Sequence, residues 1–275
     1  MQRFLMALAC LAFSASVALA ADSLDAFKGQ KGNLDIAGGT AHIPVMKDAA
    51  RRIMTANPDI RITVAGGGLG VGVQKAGEGL VQIGNTGRAL KKSEIQKYGL
   101  VSFPFAIDGV AVAVNPGNPV SGLSKTQLKD IFAGKITNWK DVGGADASIS
   151  LYVREDGSGT RETFEERALD KGSSAAGANV VNSNGAMKTA IAQDPNAVGY
   201  VGIGHLDKSI RGLSVDGMTP SQENAANGSY TVTRLLYMNT KGEPQGLTRA
   251  FVDYICSPAG KEIVAKAGYI PYEKK

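Results

Sequence analysis

Two hydrophobic rhythms alternate along the chain. Short runs that are apolar at every second position, or continuously, predict strands at "LDIAGG", "IRITVAG", "LVQIGN", "GVAVAVNP", "ISLYVRE", "AVGYVGI" and "TRLLYMN". Between them, "HIPVMKDAARRIMTAN", "KTQLKDIFAG", "TRETFEERALD", "GAMKTAIAQDP" and "LTRAFVDYICSPAGKEIVAKAG" space apolar residues by three and four, which predicts helices. Strands alternating with helices predict an α/β architecture with mostly parallel sheets flanked by helices. Two turn-rich stretches interrupt the rhythm: "NPGNPVSG" at 115–122 and the polar run at 208–230. If both are crossings, residues 21–114 and 212–275 form one lobe and 115–211 a second, with a ligand cleft between them.

The first twenty residues read differently. Arg3, an apolar run from Phe4 and the Ala18-Leu19-Ala20 exit predict a secretory signal over 1–20, hence export to the periplasm. Cleavage would remove Cys10 and leave Cys256 as a lone thiol, expected as a buried small residue on the apolar face of its helix. At 275 residues, 43% hydrophobic and 20% charged, the chain suits a globular protein. Its net charge of +5 is spread among Asp and Glu without a basic stripe. That surplus favours small anions and gives no reason to expect nucleic acid. The two histidines, His42 and His205, lack ligand spacing, so neither metal nor cofactor is expected.

Candidate chemistry lies where strands run into helices. In "IAGGTAHIPVMKDAA", Thr40 follows two glycines. In "VAGGGLGVGVQKA", glycines including Gly68 and Gly70 leave backbone N–H groups uncovered. In "REDGSGTRETFEE", Ser158, Gly159 and Thr160 offer both N–H and hydroxyl donors. A helix start concentrates unpaired N–H groups and the positive end of the macrodipole, which suits an anion. Any one such start is also an ordinary cap, but three of them with Arg154 and Arg88 point to a shared oxyanion. Either guanidinium could grip it bidentately. Asp156 could hold Arg154 in place or be a first-turn acid, and Arg88 could equally form a surface or interlobe ion pair. No G-x-x-x-x-G-K-[ST] or G-x-G-x-x-G occurs, and "DGSGT" lacks the first glycine of a G-x-S-x-G elbow.

These motifs, with "FPFAIDGVAVAVNP", "LKDIFAGKITNW", "AVGYVGIG" and "SPAGKEIV" in the same order, resemble the periplasmic phosphate-binding proteins of bacterial ABC phosphate importers. The resemblance implies a type II periplasmic binding protein fold of two α/β lobes. It implies a monomer that captures inorganic phosphate, without catalysis, and delivers it to membrane permease subunits. By motif, the ligand contacts would be Thr40, Ala41, the Leu69 N–H, Arg154, Ser158, Gly159 and Thr160, with Asp156 orienting Arg154. Two departures stand out. Leu69 replaces a serine, and Gly87 falls where some members place an aspartate that accepts the ligand's proton. Without that acceptor, discrimination would rest on another group such as Asp108 or Asp156, or be weaker. Sulfate, arsenate or a phosphonate are therefore alternative ligands, and an exported phosphatase is a more distant reading.

Overall fold

The computed structural model describes residues 23–273, so the expected export signal lies outside the described residues. The strands are β1 (Gly32–Gly38), β2 (Ile60–Gly67), β3 (Ile83–Thr86), β4 (Leu100–Val114), β5 (Gly122–Leu123), β6 (Ser150–Arg154), β7 (Asn179–Val181), β8 (Ala197–Gly202), β9 (Arg211–Gly212), β10 (Ser214–Val215), β11 (Thr233–Lys241) and β12 (Ile270–Pro271). The helices are α1 (Ile43–Ala56), α2 (Gly68–Gly77), α3 (Lys92–Tyr98), α4 (Lys125–Phe132), α5 (Gly159–Arg167), α6 (Asn184–Gln193), α7 (Gln222–Ala226), α8 (Gly246–Cys256) and α9 (Pro258–Lys266). No described helix is long and apolar enough to cross a membrane.

The main sheet runs in the order β2-β1-β3-β11-β4-β8-β6-β7. Its two ends are parallel: β1 pairs with β2 and β3, and β6 with β7 and β8. Its middle is antiparallel, through β3-β11, β11-β4 and β4-β8, so the sheet is mixed rather than mostly parallel. The antiparallel strands are the ones that carry the chain from one core to the other. Residues through Ala106 on β4 and from Leu236 on β11 pack into a first core with α1, α8 and α9. Val110 and Val232 belong to a second core built on α4, α5, Trp139 and Tyr200, with Phe164 stacked on Tyr200 at 4.2 Å.

The crossings therefore lie inside β4 and β11, not at the turn-rich stretches near 115 and 211. Val120 of the first stretch and Leu213, Ala225 and Tyr230 after 211 all pack in the second core. Composition marked turns within one core, which look the same as linkers in sequence.

Local patterning explains the elements. Val45, Met46, Ala49, Ala50 and Ile53 form the buried stripe of α1, as their spacing requires. The long C-terminal helical pattern divides at Ser257, whose hydroxyl accepts from Gly260 N at 3.2 Å and caps α9, with Pro258 following. Cys256 is exposed, contrary to expectation. The inward face of α8 is Phe251, Val252, Tyr254 and Ile255, and Cys256 lies one step around from it.

One close approach sets the position of α2. At Gly72 the helix lies on the backbone of β1 and β3, and a Cβ there would collide with the Asn85 carbonyl oxygen and crowd Gly38. Gly72→Ala gains about 1 kcal/mol of helix propensity. It overpacks against backbone that has little room to yield, at a cost of about 1–3 kcal/mol. The expected net result is a lower melting temperature; an unchanged or raised one would contradict this packing.

Candidate functional site

Where the two cores meet, a small cavity is lined by Gly39, Thr40, Ala41, His42, Gly68 and Gly87 on the side of the first core. Arg154, Ser158, Gly159 and Thr160 line it from the second, with Arg234 from β11. Six of the seven expected contact residues thus converge, from positions more than a hundred residues apart.

Helix starts build much of the wall. Residues Thr40–His42 form a 3-10 turn leading into α1, and Gly39 at its cap supplies no side-chain acceptor. On the opposite side Ser158 caps α5, its Oγ accepting from Arg161 N at 3.4 Å. The leading N–H groups of both elements have no partner within their own helix, and each brings partial positive charge to the cavity.

Arg154, at the end of β6, is 1% exposed. Glu155 accepts from its Nε at 2.8 Å and from Nη2 at 2.9 Å, a two-point clamp. Nη2 also reaches Thr40 Oγ1 at 3.5 Å across the cavity. Nη1 is buried and has no partner. The residue that orients Arg154 is therefore Glu155 and not Asp156. Asp156, its side chain 98% exposed, pairs with Arg161 at 2.8 Å because the chain turns outward after Glu155.

Three other expected residues have different roles. The Leu69 N–H donates to the Gly157 carbonyl at 3.1 Å and its side chain is buried among Ala37, Val73 and Ala76; Gly68 lines the cavity instead. Gly70 faces a separate surface hollow with Val73 and Gln74. Arg88 is held by Glu94 at 2.8 Å and by Glu162 of α5 at 3.0 Å, an ion pair between the two sides rather than a cavity group.

Asp108 is buried but does not line the cavity, because it is occupied by Arg234. The two are register partners across β4 and β11, and Arg234 donates Nε and Nη2 to Asp108 Oδ2 at 3.0 and 2.7 Å. Burial pushes the Asp108 carboxyl above its ordinary value, and Arg234 beside it pulls the other way. Arg234 itself reaches the cavity, donating to Thr160 Oγ1 at 2.9 Å. Gly87 makes that possible: a Cβ there would stand 2.8 Å from Arg234 Nη1. Sequence reasoning missed Arg234, although alternation in "TRLLYMN" puts it on the buried face with Leu236 and Met238. It also missed Asn184, fully buried at the start of α6, whose Nδ2 donates to Thr40 Oγ1 at 3.3 Å and Thr160 Oγ1 at 3.5 Å.

The donors are oriented by these partners. Thr40 Oγ1 accepts from Arg154 and Asn184, Thr160 Oγ1 from Arg234 and Asn184, and Ser158 Oγ from Arg161 N. With lone pairs engaged, the hydroxyls have their protons left to offer. The cavity presents two guanidinium groups, hydroxyl protons and helix-start amides, which together suit a small anion with several oxygens.

Two α/β cores meeting on a donor-lined cavity is the arrangement of a two-lobed solute-binding protein. The model of the PBP superfamily domain matches residues 26–259. The chain is 43% identical over 253 residues to the phosphate-binding protein PstS of Bacillus subtilis, covering 90% of this chain and 84% of that one. It superposes on a Clostridium perfringens protein solved with bound phosphate at TM-score 0.82 and 36% identity, covering 88% of this chain and 100% of the other. An ABC-type phosphate transport receptor of Vibrio cholerae gives TM-score 0.69 at 34% identity, covering 86% and 99%. The chain belongs to the PBP superfamily and, within it, to the family of the PstS phosphate-binding proteins.

Two outcomes follow from this geometry. Glu155→Ala strips the clamp from a buried guanidinium and should destabilise the protein by about 2 kcal/mol or more. Asp156→Ala, an exposed pair, should cost about 0–0.5 kcal/mol; equal costs in urea unfolding would reject the assignment. The second concerns acid. Burial first, and then Arg234, lowers His42 from 6.5 to about 3, and burial, then Lys188, lowers His205 to about 4. Unfolding lets both rings bind protons that the folded state refuses, so stability is complete above pH 6.5 and falls as pH drops toward 4. Urea midpoints flat across that window would contradict neutral, buried rings.

Proposed function

We propose that the protein is an exported solute-binding protein that captures inorganic phosphate between its two cores and delivers it to the permease of an ABC importer. The observation that carries this reading is Arg154 Nη1, a charged donor that is buried without a partner beside the starts of α1 and α5. Such an atom is costly unless an acceptor arrives. A tetrahedral oxyanion supplies acceptors in several directions at once, matching donors that come from both sides. The names of the PstS relatives, and the phosphate in the Clostridium perfringens structure, support phosphate as that oxyanion.

Function here is selection and closure rather than bond making. The ion loses its hydration and gains charge-assisted hydrogen bonds from both cores, so its binding favours the form in which they meet. The protein acts as a monomer in the periplasm, and its contact with the permease reports which form it is in.

Arg154→Ala should weaken phosphate binding by about 3–5 kcal/mol in calorimetry, the scale for breaking a buried charge interaction. Phosphate at a hundredfold excess over Kd should stabilise the parent by about 2.7 kcal/mol in a thermal melt. A parent whose melt ignores phosphate would overturn the reading.

A further inference from the structure

The cavity is rich in donors. Of the carboxylates behind it, Glu155 is engaged by Arg154 through both oxygens, while Asp108 gives Oδ2 to Arg234 and keeps Oδ1 buried and unpartnered but off the cavity lining. An ion that keeps a proton at neutral pH needs one acceptor in such a place. His42 offers it. The residue lines the cavity, is 1% exposed and packs its ring on Phe105. Its Nε2 lies 3.1 Å from the Thr86 carbonyl oxygen. A carbonyl can only accept, so Nε2 carries the hydrogen. In the neutral ring Nδ1 is then a bare lone pair. It is buried and makes no hydrogen bond of good geometry, although the backbone of Gly39 on the cavity wall and of Tyr237 stands close to the ring. Burial and Arg234 keep the ring neutral.

We propose that His42 Nδ1 accepts the hydrogen bond from the protonated oxygen of the bound ion, and so sets the preference for a protonated tetrahedral oxyanion over a fully ionised one such as sulfate. The inference rests on the phosphate reading above. In that orientation sulfate would leave Nδ1 facing an oxygen lone pair, whereas monohydrogen phosphate satisfies it. A site built to bond a ligand hydroxyl rejects the analogue that lacks it.

Two variants separate this role from a structural one. His42→Gln keeps a donor within reach of the Thr86 carbonyl and removes the acceptor at the Nδ1 position. His42→Asn puts an amide oxygen near that position. Calorimetry with phosphate and with sulfate, in mildly alkaline buffer, gives the ratio of the two affinities for each protein. The expected result is a fall of about tenfold or more in the phosphate-to-sulfate ratio for His42→Gln, largely restored in His42→Asn. Nitrogen NMR of the unsubstituted protein reads the same atom without mutation: the Nδ1 resonance should move with phosphate and not with sulfate. An unchanged ratio in His42→Gln, or an Nδ1 resonance indifferent to phosphate, overturns the role of His42. A parent that binds no phosphate overturns the phosphate reading itself, a result distinguishable from either.

Discussion

The structure is organised around two guanidinium groups buried at the seam between its cores. Taking such a charge out of water costs several kcal/mol unless a carboxylate and further acceptors compensate it. Arg154 and Arg234 each have one carboxylate, Glu155 beside the first in sequence and Asp108 across the strand pair from the second. Pairing fixes both side chains, and it leaves Arg154 Nη1 unmet. That unmet donor, with Thr40, Ser158 and Thr160 already accepting from protein groups, turns the seam into a site for something electron-rich. Had the carboxylates outnumbered the arginines there, the same cavity would repel an anion.

The contacts that join the two sides without a ligand are individually weak. The Leu69 N–H to Gly157 carbonyl bond is worth about 1 kcal/mol net. Arg88 with Glu162 is partly exposed and worth at most about 1 kcal/mol. The Arg154 to Thr40 contact is long at 3.5 Å. Each guides the approach of the cores more than it holds them. A bound oxyanion adds several charge-assisted bonds at once, so the ligand rather than the protein dominates the energy of the closed arrangement.

Much of the site was legible because helix-start chemistry is local. Gly-Thr at Thr40 and Asp-Gly-Ser-Gly-Thr before α5 declare themselves within a few residues. What sequence could not supply was anything that depends on register or on the direction of a turn. Glu155 and Asp156 are neighbours, and only the outward turn after β6 decides which of them faces Arg154. The Leu69 N–H is lost to Gly157, a carbonyl from the other core. Arg234 meets Asp108 across 126 positions of chain. Its trace in the sequence was a charge on the inward face of an otherwise apolar strand. The α/β character was equally legible, but the core crossings were not, since they are regular strand and not loop.

The crossing of the cores within regular strand also explains why the charges sit where they do. Between Ala106 in the first core and Val110 in the second lie Ile107, Asp108 and Gly109, and between Val232 and Leu236 lie Thr233, Arg234 and Leu235. These are the stretches of β4 and β11 that neither apolar core covers completely. A charge elsewhere on the inward faces of these strands would displace apolar packing and leave a gap costing several kcal/mol. At the seam it displaces none, yet it remains dry enough for its field to be strong. The passage of two paired strands between two cores thus creates the one kind of place where a buried ion pair is tolerable and useful. The anion cavity is its consequence: helix starts from either core open onto the seam, and the paired charges there supply the electrostatic floor.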